Sequence, residues 1–282
     1  MNKILELGYS PCPNDTFIFH ALACGAVSVD PFKLNITLAD VEELNSLARS
    51  GQMDICKVSV HAAAHIMNDY ILLRAGGAMG RGVGPLLLSC APCTIEDLDG
   101  KRIAIPGRNT TANLLFNLMC REAGVQVELV EMVFDQVMPA IADGTVQGGV
   151  VIHEGRFTYQ GLGLSRIADL GKWWEDYSGL PIPLGSIAIK RSLGADTAAL
   201  VNSAIRKSIT LSYIDTDAAW PYIKDHAQEM DDDVIREHID TFVTDYSMDV
   251  GIEGEQAVSR LLKEAALMDS IDLPDHPFFI NE

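Results

Sequence analysis

Four short runs hold the residues able to do chemistry: Asn14, Asp15 and Thr16 in "PNDT", Ser59 and His61 in "KVSVH", Asn109, Thr110 and Thr111 in "GRNTT", and His153, Glu154 and Arg156 in "VIHEGRF". Each follows an apolar run and precedes a helical pattern, so each sits where a strand hands over to a helix. In an open α/β sheet, ligands bind outside the carboxyl ends of the strands, where helix starts present N–H groups. Asn, Asp, Ser and Thr are also the preferred helix caps, each contributing about 1 kcal/mol. Capping is compatible with binding an anion or polyol, because a helix start leaves more N–H groups than one cap satisfies. His153 follows the buried run "QGGVVI" and has a glycine close behind it. Two readings stand side by side for it: a satisfied core histidine, or a general base, for which an unperturbed pKa of about 6.5 suits work near neutral pH. Glu154 and Arg156 either orient it or are solvated.

Other motifs point less firmly to chemistry. "HAAAH" sets His61 and His65 one helical turn apart, as metal ligands can be, yet the glutamate of a zinc protease is absent and a plain helix face is the simpler reading. "GGAMGRGVG" lacks both the Gly-Lys-Ser/Thr ending of a phosphate loop and the dinucleotide fingerprint, so it reads as a hinge or loop. The acidic run Asp231 to Asp233 precedes a helix, where carboxylates favour the dipole. "CAPC" at Cys90 to Cys93 has no second pair and no helix behind it, so two cysteines flanking a turn is the expectation. With no Gly-x-Ser-x-Gly elbow and no cofactor fingerprint, an enzyme built on this chain works by acid and base chemistry, with no cofactor and no metal.

The elements that must position these residues alternate. "KILELGY", "LNITLAD" and "MDICKVSV" read as strands, with helices "NDTFIFHALACG", "VEELNSLARSG" and "HAAAHIMND" between and after them. Such alternation predicts an α/β fold with mostly parallel, doubly wound sheets. A second unit repeats the first. "LELGYSPCPNDTFIF" matches "RIAIPGRNTTANLLF", and "LARSGQMDICKVSV" matches "AIADGTVQGGVVIH", with Gly51 over Gly144, Asp54 over Gln147 and Val58 over Val151. Two such units predict two lobes with a ligand cleft between them: a larger lobe of residues 1–86 and 192–282, and a smaller one of residues 87–191. The crossings fall in "GVGPLLLS" and "GLPIPLGS". The rest of the chain, from "ADTAALVNSAIRKSITLSYID" through "DAAWPYIKDHAQEM" and "DDDVIREHIDTFV" to "EGEQAVSRLLKEAALMDSI", carries apolar residues at helical spacing and is expected to cover the first lobe.

Composition sets the outer limits. The chain has 282 residues, 48% of them apolar and 21% charged, which suits a folded globular protein. A net charge of −18 argues against nucleic acid and anionic membrane as partners, since phosphate affinity comes from Lys and Arg. A small anionic ligand would need local help. Six scattered cysteines in a chain of this size are expected to be reduced. The first residues reach a proline before any apolar run of signal-peptide length, and no segment approaches a membrane span, so a cytoplasmic monomer or homodimer is expected.

Taken together, "GYSPCPNDTFIF", "DICKVSVHA", "IPGRNTTANLL", "VVIHEGRFTY" and "LPIPLGSIAIKR" resemble the menaquinone biosynthesis enzymes of the futalosine pathway. The resemblance follows the chain in order and thins in the carboxy-terminal helices. It implies the fold of a type II periplasmic binding protein and an enzyme without metal or organic cofactor. The branch it resembles most cleaves cyclic dehypoxanthine futalosine to a dihydroxynaphthoate with loss of a three-carbon fragment. Carried onto this chain, it implies His153 as the base, Ser59, Thr110 and Thr111 as substrate contacts, and Asn14 and Asp15 as parts of the amino-terminal substrate motif. A chorismate-consuming branch of the same family ranks second. A non-catalytic solute-binding protein is the reading from another class, because this fold by itself does not specify catalysis.

Overall fold

The computed structural model describes residues 3–228 and 231–281. The chain divides into two compact units, Met1–Gly80 with Pro183–Glu282, and Arg81–Ile182. The first unit opens with β1 (Ile4–Tyr9), α1 (Pro13–Ala23), β2 (Lys33–Leu38), α2 (Val41–Arg49), β3 (Ile55–Ser59), α3 (Val60–Ala64), β4 (Tyr70–Leu72) and β5 (Ala78–Gly80). The second holds β6 (Leu86–Ser89), β7 (Arg102–Ile105), α4 (Thr111–Ala123), β8 (Glu128–Glu131), α5 (Phe134–Ala142), β9 (Gly148–Val151), α6 (Gly155–Thr158), β10 (Ser165–Asp169) and α7 (Leu170–Ser178). The chain returns through β11 (Ile182–Lys190) and ends with α8 (Ala195–Ile214), α9 (Thr216–His226), α10 (Asp232–Phe242), α11 (Asp245–Met248) and α12 (Gly251–Asp269).

The unit boundaries differ from those expected, falling at residues 81 and 182 where 87 and 191 were expected. Strand β11 explains the second shift, because its hydrogen bonds belong to the first sheet: it pairs antiparallel with β3 from Gly185↔Ser59 to Ile189↔Ile55. The first shift follows from Arg81 and Gly82, which bond to the Gly179 carbonyl (3.2 Å) and the Glu175 carboxylate (2.7 Å) at the end of α7.

Both sheets are mixed rather than mostly parallel. Their orders are β2-β1-β3-β11-β4, with β5 on β11, and β10-β6-β9-β7-β8. In each, three parallel strands carry the βαβαβ unit, and the strand by which the chain arrives from the other unit pairs antiparallel with the third. The repeat seen in the sequence therefore extends to topology, as β2-β1-β3 against β8-β7-β9. It also reaches single hydrogen bonds. The Asp54 amide donates to the Glu6 carbonyl (3.0 Å) while its carboxylate accepts from the Glu6 amide (3.1 Å). Gln147 makes the same pair with Arg102, at 2.9 and 3.2 Å.

Packing explains the apolar runs. Strands β3 and β9 are buried along their whole length, as strands covered on both faces are. A Cβ on Gly149 would lie 2.6 Å from a Val137 methyl, so glycine is what lets α5 settle on β9. Helix α1 buries Phe17, Ile18, Phe19 and Leu22 around its circumference, a pattern that requires cover on all sides. Helices α8, α9 and α10 supply it through Val201, Ile205, Ile223 and Ile239, so the carboxy-terminal helices cover the first unit as expected. The expected helix "DAAWPYIKDHAQEM" ends in two residues outside those described. "HAAAHIMND" is helical only over Val60–Ala64; tight turns such as Asp69 N–H to the Ile66 carbonyl (3.0 Å) then redirect the chain into β4. Among the described residues no helix is long and apolar enough to cross a membrane.

Candidate active site

In the first unit, β1 runs into Ser10, Pro11 and Cys12, and α1 begins at Pro13, a first helical position that proline suits because its missing N–H has no partner there anyway. The cap residue is Cys12, whose side chain makes no capping bond to the helix start. Asn14, Asp15 and Thr16 are not caps; they lie inside the first turn and are buried. Thr16 donates back to the Cys12 carbonyl (3.1 Å). The Asp15 carboxylate accepts from the Ser10 amide (3.2 Å), the Ser10 hydroxyl (2.7 Å) and the Asn14 side chain (3.0 Å). Its fourth donor is the ammonium of Lys57 at 2.6 Å.

Lys57 had no place among the expected site residues. It interrupts the apolar strand β3, its side chain is only 7% exposed, and it also donates to the Gly76 carbonyl (3.0 Å). A lysine inside a buried run was the available signal, since such a charge is retained only with a partner. Asn14 turns its carbonyl oxygen to His238 of α10, whose Nε2 donates at 3.0 Å. The polar turn "SPCPNDT" is thus one closed network tying β1, α1, β3 and α10 together, and the helix dipole favours the carboxylate at its start.

Ser59 ends β3 and opens α3. Its amide donates to the Asn45 side-chain oxygen (2.9 Å), and its hydroxyl accepts from the Asn45 amide nitrogen (3.2 Å). Asn45 therefore fixes the hydroxyl while leaving its proton to be donated elsewhere.

In the second unit, Thr110 caps α4 as the sequence suggests. Its hydroxyl accepts from the Asn113 amide (3.2 Å) and donates to the Gly107 carbonyl (2.7 Å). Thr111 is the first helical residue, and both threonines are buried. At the end of β9, His153 adopts a left-handed backbone conformation with φ of 56°. That conformation costs a non-glycine residue roughly 1–2 kcal/mol, and such residues concentrate at functional sites. Close behind it, Gly155 packs so tightly that a Cβ there would fall 2.3 Å from a Val151 methyl. The imidazole is partly exposed and meets the Phe134 ring edge-on, with centroids 4.9 Å apart.

Arg156 does not orient His153. It binds the Asp169 carboxylate and the carbonyls of Gly82 and Gly84, each at 2.8 Å. Asp169 in turn caps α7 through the Gly171 and Lys172 amides (3.0 and 3.1 Å). Arg156 thus pins the glycine-rich segment. Glu154 stands at the start of α6 with no side-chain cap bond. Asp231 caps α10 through the Asp233 and Val234 amides, and all six cysteines are free thiols.

The sequence signature described as menaquinone biosynthesis matches residues 5–267. The chain belongs to this menaquinone biosynthesis family. Along with the signature, a 1,4-dihydroxy-6-naphthoate synthase of Thermus thermophilus is 44% identical over 278 residues, covering 99% of this chain and 100% of that protein. A crystal structure of an Archaeoglobus fulgidus protein is similar with a TM-score of 0.87 at 33% identity, covering 95% of this chain and 98% of that one. The periplasmic aliphatic sulphonate binding protein of Escherichia coli superposes with a TM-score of 0.68 at 12% identity, over 100% and 95% of the two chains, and shows the fold alone. This member of the menaquinone biosynthesis family is accordingly an enzyme of that pathway on a periplasmic-binding-protein-like fold.

Proposed function

We propose that the chain is a 1,4-dihydroxy-6-naphthoate synthase, a carbon–carbon lyase that converts cyclic dehypoxanthine futalosine to 1,4-dihydroxy-6-naphthoate with release of dihydroxyacetone. The observation that carries this reading is His153: a partly exposed imidazole just past a strand end, in a strained left-handed backbone conformation and packed edge-on against Phe134. A strained backbone at a chemically competent side chain is the signature of placement for a reaction. The cyclic hemiacetal of the substrate opens, His153 removes a proton, and the carbon–carbon bond breaks in a retro-aldol manner. Aromatisation of the new ring drives the cleavage.

Such a reaction asks for positioning and one base, with no cofactor. Ser59, with its proton left over by Asn45, donates a hydrogen bond to the substrate. Thr110 and Thr111 set the start of the α4 helix, where N–H groups and dipole favour the aryl carboxylate in a chain of net charge −18. Asn14 and Asp15 have their side chains engaged within the protein, so we assign them the task of holding the β1–α1 junction of the substrate motif. The enzyme acts in the cytoplasm as a monomer or homodimer.

Incubating chelator-treated protein with cyclic dehypoxanthine futalosine should release dihydroxynaphthoate, detectable by absorbance and mass. In His153→Ala, turnover should fall by about 10²–10⁴ while substrate binding persists, as loss of a general base predicts. Wild-type rates in that variant would remove His153 from the mechanism. Binding without turnover in the wild type would indicate a solute-binding protein, and dehydration of chorismate would indicate the sister branch.

A further inference from the structure

Helix α3 carries His61, its cap residue is His65, and α12 ends at Asp269. The two histidines lie close in sequence, but the aspartate comes from 204 residues further along the chain. One oxygen of Asp269 lies 2.8 Å from the Nε2 of His61 and 2.8 Å from the Nε2 of His65. The three ligand atoms fall within 4.8 Å of one another. Side-chain exposures of 4%, 11% and 27% describe a set sunk into the surface with one side open to solvent.

The placement of the aspartate is electrostatically costly. It sits at the carboxyl end of a 19-residue helix whose last turn has no basic residue, where the dipole disfavours a carboxylate. The whole chain is acidic as well. Both imidazoles already meet this carboxylate at 2.8 Å, and a cation shared among the three groups would compensate its charge further.

We propose that His61, His65 and Asp269 form a binding site for one divalent transition-metal ion of the zinc, cobalt or nickel type, which clamps α3 to α12. Two imidazole nitrogens and one carboxylate oxygen are the ligand set such borderline ions prefer, whereas magnesium and calcium require oxygen donors. Metal bonds of 2.0–2.2 Å in tetrahedral geometry place ligand atoms roughly 3.3 Å apart, so the two 2.8 Å contacts open by about half an ångström while the imidazole nitrogens, within 4.8 Å of each other, draw in around the ion. The open side leaves a fourth position for water. His61 lies two residues beyond Ser59, so the ion fixes the β3–α3 junction from outside the reaction chemistry. "HAAAH" alone reads as a helix face because its third ligand is remote in sequence.

The full-length protein, stripped with chelator and desalted, is titrated with Co²⁺ and its visible ligand-field spectrum recorded; Zn²⁺ is then added in competition with a chromophoric chelator. One equivalent should bind, with a saturable four-coordinate Co²⁺ spectrum that Zn²⁺ displaces. Affinity should fall at least tenfold in His65→Ala and in the near-isosteric Asp269→Asn, and stay unchanged in His276→Ala. Zn²⁺ should raise the urea midpoint of the wild type and not that of His65→Ala. Absence of a one-equivalent spectrum in the wild type overturns the proposal. So does a spectrum that survives in both ligand variants, which would place the ion elsewhere on the acidic surface.

Discussion

Replacing Lys57 by methionine keeps most of the length of the unbranched side chain and removes its charge, which leaves Asp15 as a buried carboxylate without a cation. The two side chains are 7% and 2% exposed, so water screens neither. Three hydrogen bonds remain to Asp15, from the Ser10 amide, the Ser10 hydroxyl and Asn14, while the Gly76 carbonyl loses its donor. Breaking one partner of a buried pair costs about 3–5 kcal/mol, because the remaining charge is uncompensated. Asp15→Asn combined with Lys57→Met leaves no charge at all. The double variant should therefore be more stable than the sum of the single losses predicts, with a coupling of about 1–3 kcal/mol. Urea unfolding followed by far-ultraviolet circular dichroism measures all four proteins. If Lys57→Met stays within about 1 kcal/mol of the wild type, or the two losses simply add, the closed network is not what holds the β1–α1 junction.

Three further outcomes follow from single features. His153→Gly relieves the left-handed strain and should match or exceed wild-type stability by up to about 1 kcal/mol while turnover is lost; a clear loss of stability would show the backbone to be relaxed. Burial pushes the Cys56 thiol up to about 12 and the Cys120 thiol up to about 11, so a thiol reagent at mildly alkaline pH should label the exposed Cys24 and Cys90 first and reach Cys56 and Cys120 only after unfolding, as peptide mapping will show. Partial burial raises the Asp249 carboxyl, but bonds from Arg74 and the Gly251 amide and the charge of Arg206 outweigh it, so the group titrates below its ordinary value of 3.8. Its stabilising contribution is present above that value and lost as the pH falls through the lower folded one, so the acid-side drop in urea midpoint should be shallower in Asp249→Asn.

Residue pattern alone made the class of fold, the repeat and the strand-to-helix junctions legible. Those features are local: an apolar run of strand length, a glycine stop and a polar turn act over a few residues, and the match of Asp54 to Gln147 was readable because the same bonds recur in each copy. Thr110 as a cap was legible for the same reason. What was missed depended on chain segments far apart. The return of β11 to the first sheet moved a unit boundary by pairing residues 185–189 with residues 55–59. Lys57 meets Asp15 across 42 residues, Asn14 meets His238 across 224, and Asp269 meets His65 across 204. Arg156 looked like a neighbour of His153 in the sequence and instead reaches Gly82, Gly84 and Asp169. Pattern and propensity fix where a chain turns and which face is apolar; which polar groups find each other inside is decided only when packing removes water and leaves buried charges no partners but one another and the neighbouring polar groups.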